Sequence, residues 1–106
     1  MAREQVWATC RVGYVEVSRA LRLAGGAAAV RTFAREWPAI AVVEIDQTLC
    51  ERATELAAEH DLRSVDALHL ASALLVDDGA LALATWDRRL HAAAGAAGLA
   101  LMPDSL

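Results

Sequence analysis

Short strand-like runs alternate with helix-patterned segments along the whole chain, and this alternation restricts the fold more than any other feature. β-branched or continuous apolar runs predict strands at residues 6–9, 40–45, 81–85 and 99–102, and we expect the strand at 81–85 to be buried. Apolar residues at helical spacing predict helices at residues 11–24, 27–36, 46–60, 64–77 and 88–97, with Leu75 on the apolar face of the fourth. Strands that alternate with helices form a parallel sheet with helices on its faces, so the sequence predicts an α/β fold.

Helix-stopping and helix-capping residues mark the boundaries of these segments. Gly25 and Gly26 end the first helix, and Pro38 prevents continuation of the second. Asp46 and Ser64 precede the next two apolar helical patterns, where an Asp or Ser side chain can accept a hydrogen bond from the first turn. We therefore expect Asp46 and Ser64 to be N-caps.

The composition is that of one small packed domain, and we expect residues 1–106 to form it. Hydrophobic residues make up 57% of the 106 residues and charged residues 23%, which argues against disorder. Only 5% of the residues are aromatic, so Ala, Leu and Val must build most of the core. Such a core buries little area per side chain, and we expect a homodimer or higher assembly to add stability.

Nothing in the sequence suggests a membrane or an oxidising compartment. Charged residues interrupt every apolar stretch, and no apolar run follows a basic start, so we expect a cytoplasmic protein without a membrane span or signal peptide. Cys10 and Cys50 lie among apolar residues, which favours buried thiols over a disulfide. Neither cysteine belongs to a metal-ligand spacing.

The charge of the chain limits how it can meet nucleic acid. A net charge of −4 argues against broad electrostatic capture of a polyanion, so any such contact must be local or assisted by cations. All ten basic residues are Arg, whose planar fork suits phosphate and carboxylate groups. A genome rich in Arg codons explains the same bias without any function.

Three carboxylates are not placed as surface acids usually are. Glu16 is flanked by Val15 and Val17 within the first predicted helix, Asp66 lies at the start of an apolar helix, and Asp87 directly follows a predicted strand. Parallel sheets place ligand sites beyond the carboxyl ends of their strands. Clustered carboxylates repel one another and need a cation, and Mg²⁺ or Mn²⁺ prefers oxygen ligands and retains waters. A retained water can attack phosphorus.

Each of these acids also has a purely structural interpretation. Asp66 and Asp87 can stabilise the helices that they precede or open, because carboxylates are favourable at helix N-termini. Glu16 can be an exposed residue of an amphipathic helix. His60, His69 and His91 are better explained as packed or partly exposed histidines than as ligands or bases, and the Trp residues as core or interface residues; base stacking by Trp86 is an alternative.

Three segments together resemble the PIN domains of VapC toxins. They are the helix LRSVDALHLASA at 62–73, the strand and helix start LATWDRRL at 83–90, and ATCRVGYVEVSRAL at 8–21, which is similar to the family's helix with a conserved Glu. The segments occur in the family's order and together cover nearly the whole chain. Each motif is weak to moderate alone, and the three are strong jointly.

The resemblance implies a three-layer α/β/α fold and a toxin that cleaves RNA with Mg²⁺ or Mn²⁺, paired with a VapB-like antitoxin. Glu16, Asp66 and Asp87 match three of the family's acidic positions, so the resemblance implies that they ligate the metal and orient the attacking water. Arg63 and Arg88, with Arg89 beside them, are neighbours of these acids and are expected to meet the substrate phosphate.

One part of the family pattern is not matched. The family opens with a strand that bears an Asp followed by Thr or Ser, and the only acid before Glu16 is Glu4. The resemblance therefore predicts that the first βα unit is absent and that one acidic ligand is missing. The alternative function is a catalytically impaired PIN fragment that binds an antitoxin or another partner.

Overall fold

Strands and helices alternate in the computed structural model, which describes residues 7–106. Val6, at the start of the first predicted strand, and Glu4 lie outside the described residues. The chain divides into two compact units, one ending at Glu44 and the other beginning at Ile45. Each unit contains one pair of parallel strands, which confirms the predicted α/β class.

The first unit is a strand–helix–strand arrangement. Strand β1 (Ala8–Cys10) leads into helix α1 (Val12–Glu36), a 3₁₀ turn at Trp37–Ala39 contains Pro38, and strand β2 (Ala41–Val43) follows. β1 and β2 are parallel, with Ala8 opposite Ala41 and Cys10 opposite Val43. At the strand ends the Arg11 guanidinium donates hydrogen bonds to the Glu44 carboxylate, which raises the pKa of Arg11 and lowers that of Glu44.

Helix α1 is interrupted at the predicted glycine pair. Gly26 has φ 73° and ψ −165°, a backbone conformation that side chains with a Cβ rarely adopt. The predicted division into two helices is confirmed, and Gly26 is the residue that makes the break.

An aromatic cluster packs within the first unit. Tyr14 lies near the start of α1, and its ring centroid is 5.6 Å from that of Phe33 and 4.9 Å from that of Trp37. Phe33 and Trp37 also meet edge to face at 5.6 Å. Trp37 thus fits the expected packing role, whereas Trp7 is 66% exposed and is not a core residue.

The second unit contains three helices and two strands. Helices α2 (Gln47–His60) and α3 (Ser64–Val76) are followed by strand β3 (Ala82–Ala84), helix α4 (Arg88–Ala96) and strand β4 (Ala100–Met102). β3 and β4 are parallel, with Leu83 opposite Leu101. α2 packs against α3, and α4 packs against both α3 and β4.

Ala and Leu side chains fill the core of the second unit, as the composition predicts. Leu56 of α2 and Leu70 of α3 are almost completely buried, and Ala67 and Ala71 of α3 are 1% exposed. Leu75 was predicted to lie on the same apolar face but is 69% exposed, because it is at the margin of the buried stripe and in the last turn of α3. The other buried apolar residues of this unit are Leu49, Ala53, Leu62, Ala73, Leu90, Ala93, Ala94 and Leu99.

Two local predictions for the second unit are wrong. Ser64 is the first helical residue of α3 and not its N-cap, because Arg63 has the extended backbone of the cap position and makes no side-chain capping bond. Strand β3 was expected to be buried, but Ala82 and Ala84 are exposed. Among the described strands β3 pairs with β4 alone, so its small side chains are not covered by a wider sheet.

The predicted N-cap at Asp46 is confirmed by the structure. Asp46 caps α2 by accepting a hydrogen bond from the Leu49 amide at 2.8 Å. Cys10 is a buried thiol as expected, whereas Cys50 is only half-buried, and no disulfide joins them. Within residues 7–106, no helix combines the length and apolar character needed to cross a membrane.

Candidate active site

Asp66 owes its position to the start of helix α3. It lies in the first turn of α3, where a carboxylate interacts favourably with the unpaired amides and the helix dipole. The neighbouring Ala67 and Leu70 are buried, so the helix is held firmly against the core. The Asp66 side chain is only 19% exposed, which is low for a surface carboxylate.

Asp87 is placed by the end of strand β3 and the start of helix α4. The Thr85 amide donates to the Met102 carbonyl and extends the pairing with β4, and the Asp87 amide donates to the Thr85 hydroxyl at 3.1 Å. The Asp87 Oδ1 atom accepts from the Leu90 amide at 2.9 Å and caps α4. The predicted capping role is confirmed, and it occupies one oxygen of this carboxylate.

Arg63 lies between the two carboxylates. Its Nε atom is 3.5 Å from Asp66 Oδ2, and its Nη2 atom is 3.6 Å from Asp87 Oδ2. The Arg63 side chain is 79% exposed and the Asp87 side chain 39%. One guanidinium therefore bridges acids that are twenty-one residues apart in the sequence (66 to 87) and come from two different helices.

Arg89 supplies a second positive charge to the cleft that contains these two carboxylates. Its Nη1 atom donates to the Asp61 carbonyl at 3.3 Å and lies 3.5 Å from Asp61 Oδ2. Asp61 ends helix α2 in the left-handed conformation, with φ 53°. Four side chains line an open cleft of about 320 Å³: Arg63, Asp66, Asp87 and Arg89.

The structure distinguishes between the two neighbouring arginines of α4. Arg88 was expected to contact substrate, but Arg89 lines the cleft and Arg88 does not. The side chains of successive helical residues point about 100° apart, so only one of the pair can face the same groove. The sequence signal was the Arg-Arg pair itself, which does not show which member faces Asp87.

Glu16 belongs to the first unit, where it is an exposed residue of helix α1. Its convergence with Asp66 and Asp87 stays a prediction. Among the described residues, no group of three or more His, Cys, Asp or Glu side chains is close enough to hold a metal ion.

His60 and His91 have surroundings that fit a structural role. His91 is buried, and its Nε2 atom lies 2.7 Å from the Pro103 carbonyl oxygen, to which it donates. The His60 side chain is 15% exposed at the end of α2, beside Glu59. Neither histidine lines the acidic cleft.

Trp86 is an unexpected surface feature beside the cleft residues. It directly precedes Asp87 and is 82% exposed, so of the two expected positions, core or interface, the core is excluded for this residue. Stacking of a nucleobase on this ring stays a prediction.

The donor set of the cleft fits a hard divalent cation. Asp66 and Asp87 each place an Oδ2 atom beside the guanidinium of Arg63, which neutralises them. Mg²⁺ is commonly held by one or two carboxylates together with waters and substrate phosphates. Arg63 is mostly exposed and can leave without disturbing the core.

Residues 1–96 match the family model of the PIN domain. The chain therefore belongs to the PIN-domain family, with the α/β fold of that family. Two relatives, Ribonuclease VapC45 and Ribonuclease VapC49 from two strains of Mycobacterium tuberculosis, are each 43% identical over 105 residues, covering 91% of this chain and 73% of theirs. Within the family the chain is thus a nuclease of the VapC type. No solved structure gives a significant match.

Proposed function

We propose that this protein is a divalent-cation-dependent endoribonuclease, the toxin of a type II toxin–antitoxin pair, and that it uses Mg²⁺ or Mn²⁺. The observation that supports this most directly is the meeting of Asp66 and Asp87 in one cleft lined by two arginines. The VapC ribonucleases similar to the chain supply RNA as the substrate class.

Asp66 and Asp87 would hold the cation, and we assign Glu16 as the third ligand. A divalent cation bound there supplies an activated water and offsets the negative charge that develops on phosphate oxygens. Helix α3 orients Asp66, and the capping bond to the Leu90 amide prevents the Asp87 carboxylate from rotating freely. Both ligands are therefore positioned before substrate arrives.

The arginines of the cleft would contact the phosphodiester backbone. Arg89 is oriented by Asp61, and Arg63 is exposed enough to reach a bound strand. Arg88 is exposed on the same helix and can contact a more distant phosphate. Because the two arginines and two aspartates of the cleft cancel in formal charge, a bound cation is needed to make the cleft attractive to a polyanion.

The first experiment measures cleavage of a fluorogenic single-stranded RNA with and without Mn²⁺. Asp66→Asn should lower the rate by about a hundredfold or more, since a displaced water costs that much. Glu16→Gln should also lower it if Glu16 is a ligand. The matched control is Asp78→Asn, because the exposed Asp78 accepts a hydrogen bond from the Ala80 amide that an Asn side-chain oxygen can also accept.

RNA cleavage that is unaffected by chelation or by Asp66→Asn would contradict the proposal. We also propose that the protein binds a partner resembling the VapB antitoxins and that it is located in the cytoplasm.

The second candidate is a PIN module that binds an antitoxin without cleaving RNA. The observation that favours it is the Arg63 bridge, which neutralises both carboxylates without a metal ion. If RNA is not cleaved under any metal condition while an antitoxin is still bound, the binding module is the better description.

A further inference from the structure

Arg63 lies against the Oδ2 atoms of both carboxylates. Both contacts are to Oδ2 atoms, at 3.5 Å from Asp66 and 3.6 Å from Asp87. The Oδ1 atom of Asp87 is already bonded to the Leu90 amide. A cation that binds both carboxylates through Oδ2 therefore has to replace the Arg63 guanidinium.

The contacts of Arg63 are suited to exchange. Both distances are longer than an ordinary hydrogen bond, so charge holds the guanidinium more than directed bonding does. The side chain is 79% exposed, and ion pairs at such positions are weak. Arg89 differs, because it donates a hydrogen bond to the Asp61 carbonyl as well as pairing with the Asp61 carboxylate.

We propose that Arg63 is an exchangeable internal counterion of the metal site. Without a divalent cation it neutralises Asp66 and Asp87 and relieves their mutual repulsion. When the cation binds, the guanidinium is released and becomes a ligand for an RNA phosphate. This inference rests on the proposed function, because it assumes that Asp66 and Asp87 bind a divalent cation.

The proposal requires opposite effects of one substitution. Arg63→Gln removes the competing charge, so Mn²⁺ should bind more tightly. The same change removes a phosphate ligand, so RNA should bind more weakly. A residue needed only for folding would weaken both, and an uninvolved surface arginine would affect neither.

The first measurement is a titration of the full chain with Mn²⁺ alone, in which free Mn²⁺ is followed by electron paramagnetic resonance. Arg63→Gln should tighten Mn²⁺ binding by about three- to tenfold, the range expected for loss of two weak ion pairs. Arg63→Lys, which keeps the charge, should stay near the wild type. The matched control is Arg52→Gln, because Arg52 also forms an exposed i,i+3 ion pair, with Glu55, and its replacement changes the net charge equally.

The second measurement is binding of a phosphorothioate-linked single-stranded RNA at saturating Mn²⁺. Arg63→Gln should weaken this binding and reduce the dependence of log affinity on log salt by about one unit, as expected for one lost phosphate contact. Arg52→Gln should have no comparable effect.

The outcomes separate the inference from the proposed function. If the wild type does not bind Mn²⁺, or Asp66→Asn binds it equally well, both are overturned. If Mn²⁺ binding depends on Asp66 but is unchanged or weakened in Arg63→Gln, only the counterion role is overturned. If Mn²⁺ binding tightens while RNA affinity is unchanged, the transfer of Arg63 to phosphate is wrong.

Discussion

Two aspartates of this chain show how one local structure can serve different purposes. Asp46 and Asp87 both cap a helix by accepting from the amide three residues later, at 2.8 Å and 2.9 Å. Only Asp87 also faces an arginine from another part of the chain, Arg63. The capping bond uses Oδ1 and the ion pair uses Oδ2, so the structural and functional roles of Asp87 can be separated by substitution.

Asp87→Asn should preserve stability and abolish function. Asn is as good an N-cap as Asp, so the free energy of unfolding should change by less than about 0.5 kcal/mol, while Mn²⁺ affinity and RNA cleavage fall. Asp87→Ala should lose function and also about 1 kcal/mol of stability. Urea unfolding, Mn²⁺ titration and the RNA assay measure the three quantities.

The control for that comparison is Asp46→Ala. It should lose about the same stability as Asp87→Ala, because the caps are alike, and retain Mn²⁺ affinity. Equal loss of Mn²⁺ affinity in Asp46→Ala and Asp87→Ala would refute the separation of roles.

At the scale of elements, glycine and turn chemistry determine where helices end. The break in α1 coincides with Gly26, whose φ of 73° excludes an ordinary helical residue. Helix α2 ends at Asp61, and the extended backbone of Arg63 then sets the start of α3 and hence the position of Asp66. Local backbone geometry thus positions both Arg63 and Asp66.

Gly26→Ala tests the backbone conformation at the break in α1. In a continuous helix this change would stabilise the protein by up to about 1 kcal/mol, because Ala has the higher helix propensity. At the observed φ and ψ it should instead destabilise by about 1–3 kcal/mol. Urea unfolding followed by circular dichroism gives the sign.

Ala24→Gly is the reciprocal control, since it exchanges the same two residues at an exposed helical position just before the break. It should destabilise by about 1 kcal/mol through helix propensity alone. Stabilisation by Gly26→Ala would mean that α1 is one continuous helix in solution.

At the scale of the whole molecule, exposed apolar side chains suggest self-association. Val15 and Leu23 of α1 are 63% and 72% exposed, and Leu75 of α3 is 69% exposed. Where exposed apolar side chains form a contiguous patch, that patch marks an interaction surface. The small core is a second reason to expect self-association, because assembly stabilises a folded chain by mass action.

We therefore predict a homodimer or higher assembly at micromolar concentration. Sedimentation equilibrium should give a mass of at least twice the 11.3 kDa of one chain. Thermal stability should rise with protein concentration, since dilution favours dissociation. A monomer whose stability is independent of concentration would contradict this prediction.

Local pattern alone determined much of the secondary structure. Periodicity and stop signals predicted the strand and helix order, the break at Gly25 and Gly26, and the Asp46 cap, because these depend on residues close in sequence. The fold family followed from motifs that span nearly the whole chain. The predictions of an N-cap at Ser64 and of a buried β3 were wrong. The position of a helix cap and the burial of a strand depend on the surrounding backbone, which the local pattern does not show.

Only the tertiary structure decided which charged groups meet. Asp66, Asp87 and Arg63 were all identified in the sequence, but the bridge between the carboxylates depends on the packing of α3 and α4, which brings distant segments together. Arg89 lines the cleft and Arg88 does not, because their side chains leave α4 in different directions. Residue types and spacing determine which ionic contacts a chain can make, and packing selects among them because exposed charges separated by more than about 10 Å are largely screened from one another.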